Sequence, residues 1–157
     1  MTLSTPDAVH HDAGAHRLAA GGFHPPPAET LHADWFGAVE DEDHILVLGG
    51  AGAELMCALM RAGAAAVTHL RAHERPDADS ASLVIVPRVP SLDWLATALP
   101  AIRRALTANG RLMLRAGPQA LTQTQIHRML TLHGLSAIDA TEHGQVLAAA
   151  RPVHSFS

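Results

Sequence analysis

The sequence contains no lysine and no tyrosine, and each absence narrows what the protein can be. All eleven basic residues of the 157-residue chain are arginines. Without lysine, the protein cannot form a Schiff base, use a lysine as general base or hold phosphate through a P-loop lysine. The chain has no tyrosine and only three phenylalanines and two tryptophans. The core must therefore be built mainly from aliphatic side chains and alanine.

The chain is also poor in cysteine, positive charge and long apolar runs. Its single cysteine, Cys57, excludes an intramolecular disulfide, and its place in an apolar stretch predicts a buried side chain. A net charge of −4 argues against nucleic-acid binding, which needs a basic face. No apolar run approaches the roughly 20 residues that span a bilayer, so we expect a cytoplasmic protein without membrane contact.

The N-terminal stretch differs in composition from the rest of the chain. It is rich in histidine and contains Gly-Gly and Pro-Pro-Pro runs, so we expect residues 1–28 to be irregular or disordered. Residues 29–157 are long enough for one domain with a core of its own. Residues 40–43 are four consecutive carboxylates, and we expect them to form a solvated loop rather than a metal site.

Residues 44–70 carry the clearest pattern in the chain. An apolar run at residues 45–48 ends at the small-residue turn GGAGA of residues 49–53, and a helix-forming stretch leads to a second β-rich run at 67–70. Strand, glycine turn, helix and strand form the first unit of a nucleotide-binding α/β sheet. Small residues let the backbone approach a ligand closely, and the N-terminus of the next helix favours polar or anionic groups.

The middle of the chain predicts a second such unit. The buried-type strand of residues 81–86 ends at Pro87, and Ser91 caps the helix that follows. Pro100 should kink or split this helix. Asn109-Gly110 should end it before a strand at residues 111–115.

The C-terminal third predicts one more helix and a hairpin. Residues 122–125 form a capping-box pattern that opens the helix, and Gly134 closes it. Extended runs at residues 135–141 and 146–150 then predict an antiparallel hairpin. The predicted fold is a three-layer α/β sandwich, with a mostly parallel, Rossmann-like sheet and a reversed strand near its C-terminal edge.

From about residue 30 to residue 152, the chain resembles the class I S-adenosylmethionine-dependent methyltransferases. The segment ILVLGGAGAEL is similar to the family's first motif, and LVIVPRV with the later LTANGRLML is similar to its central strand–helix–strand region. The terminal hairpin matches the reversed last strand that separates this family from dehydrogenase-type folds. The resemblance implies S-adenosylmethionine as cofactor, and it implies that the following residues bind it: Gly49, Gly50, Ala51, Gly52, Leu70, Arg71, Pro87 and Arg88.

The first motif departs from the family pattern at several positions. Val47 stands where the family usually has an acid, and Ala51 and Ala53 stand where it usually has glycine. The position of the acid that normally binds the ribose is occupied here by Leu70 or Arg71. Neither side chain offers a hydrogen-bond acceptor. Losing a charge-assisted hydrogen bond costs about 1.5–3 kcal/mol, so we expect weak cofactor binding.

Other polar and aromatic residues near these strands have two interpretations each. His69, His73 and Glu74 follow the second strand and could form a metal site or hold a general base, although exposed loop side chains are commoner. Asp93 fits the start of a helix better than a substrate contact. Trp94 is more often a core residue than a stacking platform.

The chain also passes from the second strand to the equivalent of the family's fourth within about a dozen residues. The third strand and its helix, which frame the adenine in the family, are therefore missing. Their absence leaves the apolar second strand, residues 65–70, near an edge of the sheet. Such edges are usually covered, so we expect a homodimer of twofold symmetry, with the N-terminal stretch as the other candidate cover.

Two functions remain open from the sequence. One is a methyltransferase that acts on a small molecule of unknown identity, with no metal and no assignable catalytic residue. The other is a non-catalytic Rossmann-like module that has lost the cofactor and serves in binding or assembly.

Overall fold

The structure, a computed structural model, describes residues 39–50, 52–71, 73–117, 121–140 and 145–150. The predicted irregular segment 1–28, its boundary with the domain, and Ala51 lie outside these ranges. None of the helices within them is both long and apolar enough to cross a membrane.

Within the described residues, strands and helices follow one another in the order that the sequence predicts. In chain order they are β1 (His44–Leu48), α1 (Ala53–Arg61), β2 (Ala66–Leu70), β3 (Ala81–Val89), α2 (Leu92–Ala105), β4 (Leu106–Ala116), α3 (Gln123–Leu132), β5 (Leu135–Ala140) and β6 (Gln145–Ala150). They form one sheet of order β2-β1-β3-β4-β6-β5. The first four strands are parallel neighbours, and β6 is antiparallel to both β4 and β5. The predicted sheet and hairpin are confirmed.

Alternate side chains of the central strands divide the core into two layers. On one face, residues of β1 and β3 pack with α1, and the buried members are Ile45, Val47, Leu55, Leu59, Leu83 and Ile85. On the other face they pack with α2 and α3, through Leu46, Leu48, Val84, Val86, Leu95, Leu99, Ile102, Ile126 and Leu130 among others. The fold is therefore the predicted three-layer sandwich, because β1 and β3 are apolar on both faces.

The strand β3 continues past the residue at which we expected it to end. It includes Pro87 and runs to Val89. Its pairing with β1 stops at Ile85, and its register with β4 shifts after Val86. Proline has no N–H to donate to a neighbouring strand. It is tolerated here because the hydrogen-bonded ladder is irregular at this point.

The strand β4 begins earlier than predicted, directly after α2 ends. Asn109 and Gly110 lie within it rather than ending the helix, and α2 continues through Pro100 without being split. Four residues of β4 stand opposite one residue of β3 between the pairs Ala81–Leu106 and Leu83–Arg111. A Cβ at Gly110 would lie 2.8 Å from Leu106 Cδ2, so glycine serves the close approach inside this bulge.

The helix α1 contradicts the prediction of a buried cysteine. Cys57 is exposed. The buried residues of this helix are Leu55 and Leu59, which are four positions apart on one face. Cys57 lies between them in sequence and therefore on the opposite side of the helix.

The acidic run before β1 also contradicts its prediction, because its last residue is buried. Asp43 is 5% exposed. Its Oδ2 accepts hydrogen bonds from Glu40 N at 2.8 Å and Arg111 Nη2 at 2.7 Å. Its Oδ1 accepts one from Ser82 Oγ at 2.6 Å. The solvated-loop prediction is wrong for Asp43, because it counted consecutive charges and could not see the arginine brought in by β4.

Two opposing effects act on the pKa of Asp43. Burial raises it, but hydrogen bonds from Ser82 and Glu40 and the positive charge of Arg111 lower it by more. The net pKa is below the ordinary value of 3.8. The ionised carboxylate therefore stabilises the fold fully above that value, and this contribution is lost as the pH falls through the lower folded-state pKa.

We predict that Asp43→Asn lowers the free energy of unfolding by about 3 kcal/mol at neutral pH, because Arg111 loses its buried counter-charge. The difference from wild type should shrink below about pH 4, and urea denaturation between about pH 2 and pH 7 measures it. Glu40→Gln is the control, since Glu40 pairs with the same arginine but is 74% exposed. It should change stability by at most about 1 kcal/mol. A pH-independent effect of Asp43→Asn would contradict this account.

Candidate functional site

The strand order places a switch point beside β1. The chain passes from β1 to β2 on one side and later to β3 on the other. Ligands of open α/β sheets bind in the crevice at the carboxyl ends of the strands where the order reverses. The topology therefore brings the turn after β1, the end of β2 and the end of β3 to one edge of the sheet, which we call the switch edge.

The glycine turn at this edge combines a constrained residue with an open one. Gly49 has a φ of +100°, which favours glycine, and its N–H donates to the carbonyl of Leu70 at 3.1 Å. A Cβ at Gly50 would meet no atom within 4 Å. Gly52 is the N-cap of α1, and its carbonyl accepts from Leu55 N at 3.1 Å. The turn thus needs glycine at its first position and leaves free space over its second.

His69 reaches the same turn from β2. Its imidazole Nε2 is hydrogen-bonded to the carbonyl oxygen of Gly49. Because a carbonyl only accepts, Nε2 is the donor. The register that pairs Val47 with His69 places this side chain next to the turn, a contact that the sequence alone did not predict. No group of three His, Cys, Asp or Glu residues in the described part of the chain is placed to hold a metal ion.

Trp94 borders the glycine turn from α2. Its Cζ2 lies 3.8 Å from the position of a Cβ on Gly49. The indole is partly buried and packs against the core, as the sequence predicts. Ser91 fixes the start of the helix, because its hydroxyl accepts from Trp94 N at 3.1 Å. The Trp94 side chain therefore belongs to the core and also forms one wall of the switch edge.

Leu70 and Arg71 lie at the end of β2. They occupy the positions at which the family resemblance predicts a ribose-binding acid. Leu70 is half-buried and Arg71 is exposed. The N–H of Arg71 donates to Glu74 Oε2 at 2.8 Å, and Glu74 N donates to the carbonyl of Arg71 at 3.0 Å. Val47, which stands at the family's other acidic position, is fully buried in the core against α1. Among the predicted site residues, the structure joins Gly49 directly to Leu70.

The end of β3 contributes Pro87 and Arg88. Pro87 is half-buried, and Arg88 is exposed. Arg88 Nε lies 3.7 Å from the position of a Cβ on Gly117, which follows β4. The guanidinium group is thus placed near the end of β4 at the switch edge.

A cavity of about 160 Å³ lies along β1 and β2, from His44 and Ala66 at their amino ends to Leu70 at the carboxyl end of β2. It separates β1 and β2 from the connection at residues 75–80, and it shares only Leu70 with the predicted site. The connection is held by Arg104, whose Nε donates to the carbonyl of Pro76 at 3.2 Å and whose carbonyl accepts from Asp79 N at 3.0 Å. Within the described residues, no helix residue lines this cavity.

Comparisons with known proteins identify the fold. No protein-family model matches the chain, and no curated protein matches its sequence. The chain is similar in structure to 1,6-didemethyltoxoflavin-N1-methyltransferase of Burkholderia thailandensis, solved with S-adenosylhomocysteine, with 12% identity, a TM-score of 0.59 and coverage of 76% of each chain.

Two further structures have the same fold. A putative S-adenosyl-L-methionine-dependent methyltransferase of Methanococcus maripaludis is 11% identical with a TM-score of 0.59, over 80% of this chain and 85% of that one. An S-adenosylmethionine-dependent methyltransferase of Mesorhizobium loti is 12% identical with a TM-score of 0.58, over 74% and 96%. The protein has the Rossmann-like fold of the class I methyltransferases.

We predict that His69→Ala loosens the glycine turn. Removing one hydrogen bond should lower the free energy of unfolding by about 1 kcal/mol. Amide hydrogen exchange should become faster at residues 49 and 50, as measured by NMR spectroscopy. His69→Gln is the matched variant, because its amide can donate to the same carbonyl. Unchanged exchange in His69→Ala would show that the contact does not hold the turn.

Proposed function

We propose that the protein is an S-adenosylmethionine-dependent methyltransferase with a small-molecule substrate. The observation that carries this proposal is the open space over Gly50, at the switch point of a fold that solved methyltransferases share. Gly50 has no positive φ and no neighbour that requires glycine, so close packing does not explain its lack of a side chain. Close approach of a ligand to the backbone does explain it.

The residues of the switch edge fit this cofactor better than a dinucleotide. Glu54 lies exposed in the first turn of α1, where a phosphate group would be repelled. S-adenosylmethionine has no phosphate, and its sulfonium group is positive. The backbone of Gly49 to Gly52 would hold it, with Trp94 as a wall beside the turn.

Bound there, S-adenosylmethionine supplies an electrophilic methyl group. Methyl transfer depends mainly on proximity and orientation. The chain therefore has to hold the substrate's nucleophilic atom in line and exclude water. The turn is suited to positioning, since Leu70 and His69 fix Gly49 from β2.

We predict that purified protein binds S-adenosylhomocysteine in isothermal titration calorimetry and that Gly50→Leu abolishes binding. The leucine fills the space above the turn, and because its Cβ meets no protein atom, stability should change by at most about 0.5 kcal/mol. Thr131→Leu, an exposed position in the last turn of α3, is the matched control and should bind like wild type.

The two ways in which this experiment can fail have different meanings. Absence of binding by the wild type would contradict the proposal and favour the non-catalytic module. Equal binding by wild type and Gly50→Leu would place the ligand elsewhere.

We further propose that two copies associate through β2. This strand is the edge of the sheet in the described part of the chain, and its sequence AVTHL contains no Asp, Glu, Lys or Arg to discourage pairing. A twofold pairing of this edge would satisfy its outward backbone groups.

Light scattering should therefore give twice the mass of one chain. Thr68→Lys should shift the protein to monomer, because Thr68 is exposed and two like charges would meet across the pairing. Thr124→Lys, at an exposed position of α3, is the control and should remain dimeric. A wild-type monomer over a wide concentration range would reject the proposal.

A further inference from the structure

A nucleoside ligand at the switch edge needs an acceptor for its ribose hydroxyls. Carboxylates are the strongest partners for such donors. Leu70 has no acceptor and Arg71 offers only donors, so the last strand residue and its successor cannot supply one. Of the other carboxylates near this edge, Glu54 lies in the first turn of α1 and Asp93 in the first turn of α2. Neither is at the end of β2.

Glu74 is the carboxylate that the fold holds at the end of β2. Its Oε2 accepts from the N–H of Arg71 at 2.8 Å, and its own N–H donates to the carbonyl of Arg71 at 3.0 Å. The two hydrogen bonds close a tight turn that returns the side chain to the strand end. Glu74 is exposed, and Oε1 has no hydrogen bond among the residues that the structure describes. One oxygen is thus used to position the group, and the other is available.

The backbone places this carboxylate on the open side of β2. The carbonyl of Leu70 points towards β1, where it accepts from Gly49 N. The peptide bond that follows is trans, so the N–H of Arg71 points away from β1. Glu74 Oε2 therefore lies beyond β2, within about 8 Å of Gly49 N, since two hydrogen bonds and one peptide unit separate them. In the part of the chain that the structure describes, no further strand pairs with β2 on this side.

We infer that Glu74 takes over ribose recognition in this chain, accepting hydrogen bonds from the vicinal hydroxyls of an adenosine-containing ligand that lies over the glycine turn. The inference rests on the proposed function and assigns to it a residue outside the family's motif. It gives the short turn of residues 71–74 a role, because the turn restores at the strand end the carboxylate that Leu70 and Arg71 lack.

The test compares Glu74→Gln with wild type by calorimetry, using S-adenosylhomocysteine and its 2′,3′-dideoxy analogue. Glutamine keeps an acceptor for the N–H of Arg71 but removes the charge. The variant should bind S-adenosylhomocysteine about ten- to a hundredfold more weakly. Wild type should prefer the natural ligand over the analogue by a similar factor, and the variant should lose most of this preference. Asp77→Asn, another exposed acid of the same connection, is the matched control and should behave like wild type.

The outcomes separate this inference from the proposed function. If the wild type binds S-adenosylhomocysteine and Glu74→Gln binds it equally well with the same preference over the analogue, the inference is overturned while the cofactor site stands. If affinity falls but the preference is kept, Glu74 only shapes the turn, and the inference is also overturned. If the wild type binds neither ligand, the proposed function fails and the inference fails with it.

Discussion

The buried residue Asp43 connects the four parallel strands, near the amino ends of β1, β2 and β3 and at the middle of β4. It directly precedes β1, its side chain binds Ser82 of β3 and Arg111 of β4, and its carbonyl accepts from Ala65 N at 2.9 Å just before β2. Ser82 also accepts from His44 N at 3.0 Å. One residue thus aligns neighbours that are as many as 68 positions apart in sequence. Removing either charge from an ion pair that is nearly closed to solvent strongly destabilises the fold, because the other charge is left buried without its partner.

The alignment set at the amino ends decides what meets at the switch edge. With His44 opposite Ala66, the parallel register carries Leu48 opposite Leu70 four residues later. Gly49 can then donate to the carbonyl of Leu70, and His69 reaches the carbonyl of Gly49. A shift by one residue would move every side chain of β2 to the other face. The geometry of the candidate site therefore depends on contacts at the opposite edge of the sheet.

The short connection between β2 and β3 gives this version of the fold its particular character. Within the described residues, β2 is the edge strand, no helix residue lines the cavity beside it, and β2 ends in the turn that holds Glu74. In a longer crossover the same strand end would be followed directly by the next βα unit. The short connection instead supplies, by the inference above, a carboxylate from the turn.

The sequence by itself determined the order of elements, the parallel sheet, the hairpin, and the helix starts at Ser91 and Thr122, because apolar periodicity and capping chemistry are local. The family resemblance pointed to Gly49 and Leu70, and the structure joins these two by a hydrogen bond from Gly49 N to the carbonyl of Leu70. The burial of Asp43, the exposure of Cys57 and the contact of His69 with the glycine turn were decided only by tertiary structure. Each of these three features depends on a strand register or a helix rotation that is fixed by packing between distant segments. A local charge pattern or apolar stretch does not specify which distant residue will contact it.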